Sequence, residues 1–144
     1  MKTTDFRHTL MTDRTPEEVF NAIGNARGWW KGFHSEEFDG GTEKLDDEFV
    51  FRAGEGAHYS KHKVVETIPN KKIVWLVTDS ELNFLENKDE WTGTKIVFEI
   101  SKKGDKTQLV FTHEGLVPEV ECYDVCAPSW SQYLQEGLLP LIER

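Results

Sequence analysis

The chain has 144 residues, which is enough for one domain with a substantial hydrophobic core and too few for two comfortable ones. Its 17 basic and 26 acidic side chains give a net charge of −9, which argues against a general nucleic-acid binder, because phosphate contacts need clustered Lys and Arg. The longest apolar run, residues 138–142, is far shorter than a transmembrane helix of about 20 residues.

The N-terminal part of the chain predicts a strand followed by two short helices. Phe6, His8 and Leu10 alternate with Arg7 and Thr9, as in a strand that buries one face. The sequence Thr-Pro-Glu-Glu at 15–18 is typical of a helix start, because threonine can cap the free N–H groups, glutamate can reach back, and proline loses no needed hydrogen bond. A Gly-Asn pair at 24–25 ends this helix, and a second short helix is expected over residues 26–30.

The middle of the chain carries the alternation of apolar and polar side chains that predicts an antiparallel sheet. Turns that contain Gly, Pro or Asn separate the alternating runs, and no helical pattern lies between them. Such a meander joins neighbouring antiparallel strands directly. The predicted strands centre on residues 49–52, 58–68, 73–77, 96–100 and 109–113, and a polar connection is expected over 79–89.

The C-terminal residues change to the periodicity of a helix. Apolar residues recur at spacings of three and four and form one stripe, which consists of Trp130, Tyr133, Leu134, Gly137, Leu138 and Leu141. Pro128 is expected in the first helical turn, because proline cannot donate the backbone hydrogen bond of a helix interior. An earlier turn is expected around residues 119–125. The elements together predict an α+β domain in which this long helix packs on the apolar face of the sheet.

Five segments in this order resemble a known fold family. They are Thr15–Ile23 as a first helix, Trp29-Trp30 as a second helix, Val65–Trp75 as strand, Pro turn and strand, Thr107–Leu116 as a last strand, and Trp130 with Leu134 in the terminal helix. They cover nearly all of the chain and resemble the SRPBCC superfamily of START and pollen-allergen proteins. Within this superfamily, the segments point to the branch that is similar to the C-terminal domain of the activator of heat-shock-protein-90 ATPase. The resemblance implies a single helix-grip domain over residues 1–144, with a curved antiparallel sheet wrapped around the C-terminal helix.

The 9 Phe, 5 Trp and 3 Tyr residues are the unusual feature of the composition. Odd and even positions of a strand face opposite sides of the sheet, and this parity places one set of aromatic residues on the concave face: Phe49, Phe51, Trp75, Phe98 and Phe111. The helical segments supply the aromatic residues that face them: Trp29, Trp30, Phe33, Trp130 and Tyr133. A solid core and an apolar cavity both fit this pattern, and resemblance to a cavity-forming superfamily implies a ligand site. The predicted ligand-binding residues are Trp30, Phe49, Phe51, Trp75, Phe98, Phe111, His113, Trp130, Tyr133 and Leu134.

His113 lies on the inward parity and is the polar group expected in this cavity. There it would orient a polar-headed ligand rather than perform chemistry. The simpler alternative is a hydrogen-bonded histidine of the core or of a strand end.

Other clusters of polar residues do not predict a metal or a cofactor. His58 and His62 could share a zinc ion on a helix, but four residues of strand span about 13 Å, so both are expected on the sheet surface or a pocket rim. Cys122 and Cys126 lack the spacing and neighbours of reactive cysteines and are expected to be buried, inert thiols. The acidic residues between 36 and 48 do not match a calcium loop and predict a solvated edge or a surface for a basic protein partner.

Three functions from different classes follow. The first is non-enzymatic binding of a small apolar or aromatic molecule between the sheet and the C-terminal helix. The second is a protein-interaction module similar to the chaperone-ATPase activator domain, which would use the acidic surface or a sheet edge. The third is a cyclase or dehydratase-type enzyme, which needs His113 paired with Tyr133 or Glu66. We expect neither nucleic acid nor membrane as a partner. Two cysteines and a first segment unlike a signal peptide point to the cytoplasm.

Overall fold

A computed structural model describes residues 5–144 of the protein, so the predicted beginning of the domain at residues 1–4 lies outside the described residues. The strands are β1 (Phe6–Thr12), β2 (Glu37–Gly40), β3 (Glu48–Ala53), β4 (His58–Ile68), β5 (Lys72–Leu82), β6 (Lys95–Lys103) and β7 (Lys106–Glu114). Helices α1 (Pro16–Gly24) and α2 (Ala26–Trp29) follow β1, and α3 (Tyr123–Tyr133), a π-helical turn (Leu134–Leu138) and α4 (Leu139–Ile142) follow β7. No helix within residues 5–144 is long and apolar enough to cross a bilayer.

The first strand and the two short helices form for the local reasons that the sequence indicates. β1 buries Phe6 and Leu10, as the alternation predicts. At the start of α1 the backbone N–H of Glu18 donates to Oγ1 of Thr15, and the backbone N–H of Thr15 donates to the Glu18 carboxylate, each at 3.1 Å. This reciprocal pair is the predicted capping box, and Pro16 occupies the first helical position.

All strands pair antiparallel in one unclosed sheet, in the order β1-β7-β6-β5-β4-β3-β2. The five strands predicted for the middle of the chain are confirmed, and β5 extends beyond its predicted end to Leu82, which pairs with His58 of β4. β2 was not predicted, because it has four residues within an acidic stretch and only Phe38 among them is partly buried. As the edge strand beside β3, it ends the sheet on the side opposite β1.

The C-terminal helix is continuous over residues 123–142 and buries the predicted stripe, including Trp130, Leu134 and Leu138. Pro128 lies inside α3 and not in its first turn, so that expectation is wrong. The position tolerates proline because Pro128 and Asp124, whose carbonyl would receive the missing hydrogen bond, are both exposed to water. Gly137 allows the helix to approach α2 closely, since a Cβ at this position would overlap the carbonyl oxygen of Trp29.

The concave face of the sheet packs against the helices through aromatic rings, which confirms the predicted α+β helix-grip architecture. Phe49, Phe51, Trp75, Phe98 and Phe111 are all buried on this face, as their parity predicts. Ring centroids of neighbouring sheet residues lie close together, for example 4.9 Å between Trp75 and Phe98 and 5.3 Å between Phe98 and Phe111. Trp29 stacks on Trp75 at 6.3 Å and joins the helical layer to the sheet.

The two cysteines are buried at the beginning of α3, as predicted, but they are not free thiols. Cys122 and Cys126 are joined in a disulfide. The expectation of two free thiols is therefore wrong, and the bridge spans one helical turn with the Cα atoms 5.5 Å apart.

Candidate functional site

An apolar cleft of about 220 Å³ opens at one end of the concave face, between the β3–β4 hairpin and α3. The hairpin contributes Phe51, Ala53, Gly54, Ala57 and His58, and α3 contributes Val125, Cys126, Ser129, Trp130 and Tyr133. The remaining walls are formed by Trp30, His34, Phe84 and Trp91. Aromatic and aliphatic side chains therefore provide most of the surface that a bound molecule would touch.

The cleft depends on a loop, residues 83–94, that is tied to both neighbouring elements. The backbone N–H of Asn83 donates to the carbonyl of Ala57 at 2.8 Å, which fixes the loop to the hairpin. The Glu121 carboxylate accepts from the N–H groups of this loop at residues 86 and 87, and these hydrogen bonds lower the pKa of Glu121. In return, the Glu90 carboxylate accepts from the N–H groups of Glu121 and Cys122. These bonds hold Phe84 and Trp91 against the first turn of α3.

Three tryptophans arrange the aromatic part of the cleft. Trp30 stacks on Phe51 with ring centroids 3.7 Å apart and planes 9° apart. The Trp130 centroid lies 4.9 Å from that of Trp30, and Trp91 lies parallel to Trp130 at 5.9 Å. Such rings present large flat apolar surfaces and keep few rotamers, so they suit recognition of another planar group.

Two large hydrophobic side chains at the mouth of the cleft are exposed to water. Phe84 is 45% exposed and Val125 is 53% exposed, and both line the cleft. Exposed apolar surface that continues into a concave apolar site is typical of a binding region rather than of a closed core.

His113 lies behind the cleft and not in its wall. Nε1 of Trp130 donates to Nδ1 of His113 at 3.1 Å, so the proton of the imidazole sits on Nε2, which lies 2.9 Å from Oγ1 of Thr94. Thr94 in turn donates to the carbonyl of Trp91. Burial and, to a smaller extent, the nearby His58 lower the pKa of His113 to about 3. His113 is therefore the hydrogen-bonded core histidine of the simpler interpretation, and its expected place in the cavity is wrong.

The structure divides the predicted ligand-binding residues into two groups. Trp30, Phe51, Trp130 and Tyr133 come together in the walls of the cleft. The others are fully packed in the core away from it: Phe49, Trp75, Phe98, Phe111, His113 and Leu134. Parity identifies the face of a strand on which a side chain lies, but it does not show at which end of that face the packing leaves a gap.

His58 and His62 lie on the inner face of β4, so the predicted pocket rim agrees with the position of His58 in the cleft wall, whereas the expectation of a surface or a rim is wrong for His62. His58 is partly buried in the cleft wall, whereas Ser60 and His62 are fully buried. The Ser60 hydroxyl lies 3.0 Å from Nε2 of His58 and 2.8 Å from Nε2 of His62. Burial lowers the pKa of His58 to about 3 and that of His62 well below its ordinary value. Both rings are therefore neutral near pH 7.

Glu36 connects the cleft wall to the loop after α2, although the sequence predicts it on a solvated edge or on a surface for a basic protein partner. Its carboxylate accepts from the Tyr133 hydroxyl at 2.6 Å and from the backbone N–H groups of Gly32 and His34 at 2.8 and 2.9 Å. Burial alone would raise the pKa of Glu36, but these hydrogen bonds hold it below its ordinary value. Burial, together with the Glu36 carboxylate, raises the pKa of Tyr133.

The two acid/base pairs that the sequence suggests for an enzyme, His113 with Tyr133 and His113 with Glu66, do not assemble. Glu66 is partly exposed on the opposite face of the sheet, where it pairs with Lys72 at 3.5 Å, so it cannot meet His113. The Tyr133 hydroxyl is bound to Glu36 and not to His113. Within the described residues, no group of three or more His, Cys, Asp or Glu side chains could hold a metal ion.

Comparison with known proteins relates this architecture to one family. The family model for the activator of Hsp90 ATPase homolog 1-like protein matches residues 13–142. No curated protein matches the chain. The solution structure of the Aha1 dimer from Colwellia psychrerythraea is 23% identical, covers 92% of each chain and has a TM-score of 0.69.

Two further solved structures are similar at lower identity. A protein from Chromobacterium violaceum is 17% identical, with coverage of 96% of this chain and 98% of that one and a TM-score of 0.68. The AHSA1 protein from Silicibacter pomeroyi is 15% identical, with coverage of 92% and 94% and a TM-score of 0.67. Likeness at these identities shows a shared fold.

Proposed function

The chain belongs to the family of activator of Hsp90 ATPase homolog 1-like proteins, and from this premise we propose that it binds a small apolar or aromatic molecule in the cleft, without catalysis. The observation that supports the proposal is the open, aromatic-lined cleft whose mouth exposes Phe84 and Val125. Of the residues predicted from sequence, Trp30, Phe51, Trp130 and Tyr133 are the proposed contacts.

The size of the cleft limits the ligand to one or two rings. Its volume of about 220 Å³ exceeds the roughly 150 Å³ of an engineered apolar cavity that binds benzene, and it is smaller than most sites for drug-sized molecules. A ligand that hides about 300 Å² of apolar surface gains on the order of 7 kcal/mol before the costs of ordering. The expected dissociation constant is therefore micromolar or weaker.

Ligand-observed NMR with indole tests the proposal when the wild type is compared with a variant whose cleft is filled by an added side chain. Ser129→Phe places a ring in the cleft from α3, whereas Ser131→Phe adds the same ring to the same helix at a position that does not line the cleft. We expect indole to bind the wild type and the Ser131 variant and not the Ser129 variant. Absence of binding to the wild type, or equal binding to all three proteins, contradicts the proposal.

A protein-interaction module is the second candidate, and the family match supports it. The edge strand β2 with its acidic neighbours is the surface proposed for such a partner. Measurement of Hsp90 ATPase activity with and without the chain tests this function directly. Stimulation that persists in the Ser129→Phe variant would assign the interaction to a surface other than the cleft.

The proposed location is the cytoplasm, because two cysteines in 144 residues are far fewer than small secreted domains use for a disulfide framework; the Cys122–Cys126 disulfide is the observation that counts against it, since disulfides are rare in a reducing compartment. Fractionation of the producing cells tests it, and recovery of the protein outside the cytoplasm contradicts it.

A further inference from the structure

His58 carries one of the polar atoms in the cleft wall that are free to meet a ligand; the His34 ring and Nε1 of Trp91 are the others, since neither has a hydrogen-bond partner among the described residues. Among the described residues, the Ser129 hydroxyl already donates to a backbone carbonyl within α3, and the Tyr133 hydroxyl donates to Glu36. His58 is engaged through Nε2, which lies 3.0 Å from the Ser60 hydroxyl, while its Nδ1 has no hydrogen-bond partner in the part of the chain that the structure describes. A molecule in the cleft can therefore hydrogen-bond to this nitrogen without displacing an existing bond.

The polar side chains of β4 determine which nitrogen of His58 carries the proton. The Ser60 hydroxyl lies between Nε2 of His58 and Nε2 of His62 and can donate only one hydrogen bond, so one ring donates to it and the other accepts from it. Nδ1 of His62 is buried without a partner, and unpaired N–H groups are rarer in protein interiors than unpaired acceptors. The His62 proton therefore sits on Nε2, Ser60 donates to His58, and His58 keeps its proton on Nδ1.

The charges around the cleft favour an uncharged ligand. No Lys or Arg lines the cleft in the described residues, and the Glu36 carboxylate lies 2.6 Å from the Tyr133 hydroxyl of the wall. Burial lowers the pKa of His58 to about 3, so this ring supplies no positive charge at neutral pH. A carboxylate in the cleft would lose its hydration and gain no cationic partner, which disfavours its binding.

We propose, on the basis of the ligand site proposed above, that the cleft recognises an uncharged planar molecule with a ketone or amide oxygen that accepts a hydrogen bond from Nδ1 of His58. The rings of Phe51 and Trp91 pack against the imidazole with centroids 5.2 and 4.8 Å away and keep it in place. Ser60 and His62 are positioning residues, because they hold His58 in the tautomer that donates into the cleft.

Acetophenone and α-methylstyrene provide a matched pair of probes, since they share one shape and differ by an oxygen in place of a CH₂ group. We would measure both dissociation constants by NMR titration for the wild type and for His58→Phe, which keeps a planar ring and removes Nδ1. The expected result is that His58→Phe weakens acetophenone about tenfold and leaves α-methylstyrene within about twofold, because only the ketone loses a hydrogen bond. His8→Phe, on the distant strand β1, is the control and should change neither constant.

Two further measurements test the tautomer and the charge selectivity. Imidazole ¹⁵N–¹H correlation spectra of the wild type should show His58 protonated on Nδ1, and Ser60→Ala should give a mixture of tautomers and a weaker preference for acetophenone. Benzoate should bind at least tenfold more weakly than acetophenone. Any one of three results overturns this inference. They are equal weakening of both probes in His58→Phe, a His58 proton on Nε2, and benzoate binding as tight as that of acetophenone. Failure of α-methylstyrene to bind the wild type instead overturns the proposed function.

Discussion

Acidification below pH 6 should destabilise this protein steeply, because its core holds neutral histidines. His62 and His113 are fully buried, and burial lowers the pKa of His62 well below its ordinary value and that of His113 to about 3. In the unfolded chain both return to about 6.5. Between pH 7 and pH 5 the unfolded state therefore takes up protons that the folded state does not, and the free energy of unfolding decreases as the pH falls.

The magnitude follows from the difference in proton binding. Each histidine that is neutral in the fold and has a pKa of about 6.5 in the unfolded chain removes about 2 kcal/mol between pH 7 and pH 5. His62 and His113 together remove about 4 kcal/mol, and His58, which lies in the wall of an open cleft, adds less. A domain of this size has about 5–15 kcal/mol of stability in total, so much of it is lost by pH 5.

Urea unfolding followed by tryptophan fluorescence at pH 7 and pH 5 measures this loss. A decrease of less than about 1 kcal/mol in the wild type would refute the reasoning, because it would mean that the buried rings accept protons in the folded state.

Three other predictions concern packing and partners. Trp130→Ala should cost about 3–5 kcal/mol in chemical denaturation, since Trp130 is buried and donates to His113, and a loss below about 1 kcal/mol would contradict its place in the core. Gly137→Ala should cost about 1–3 kcal/mol in the same assay, because the added Cβ overlaps the Trp29 carbonyl oxygen, and an unchanged stability would show that the contact is loose. Gel-shift assays at about 0.15 M salt should show no binding to DNA or RNA, given the net charge of −9, and submicromolar binding would refute that expectation.

The sequence predicts those parts of the fold whose causes are local or periodic. The capping box at Thr15 and Glu18 involves residues three positions apart, so its pattern is visible in the sequence. Alternation placed Phe51, Trp75 and Phe98 on the buried face correctly, because the side chains of a strand point to opposite faces in turn. The position of Pro128 inside α3 could not be predicted from the sequence. A helix tolerates proline there because this side of α3 faces water, and that depends on how the helix packs on the sheet.

The cleft itself depends on contacts between distant parts of the chain. Phe84 and Trp91 were missed because the loop that carries them is held by Glu121, more than 30 positions away along the chain. The pocket rim predicted for His58 agrees with its place in the cleft wall, but the burial of His62 was missed, because a strand position alone does not show whether its face is the covered one. The link between Glu36 and Tyr133 joins residues 97 positions apart, and no local pattern marks it.

The indole N–H signals of the five tryptophans test the central claim most directly. Trp30, Trp91 and Trp130 line the cleft, whereas Trp29 and Trp75 are buried away from it and serve as internal controls. Titration with α-methylstyrene in ¹⁵N–¹H correlation spectra should give the largest saturable shifts at the three tryptophans of the cleft and the smallest at the two controls. No saturable shift, or equal shifts at all five signals, would contradict the assignment of the cleft as a ligand site.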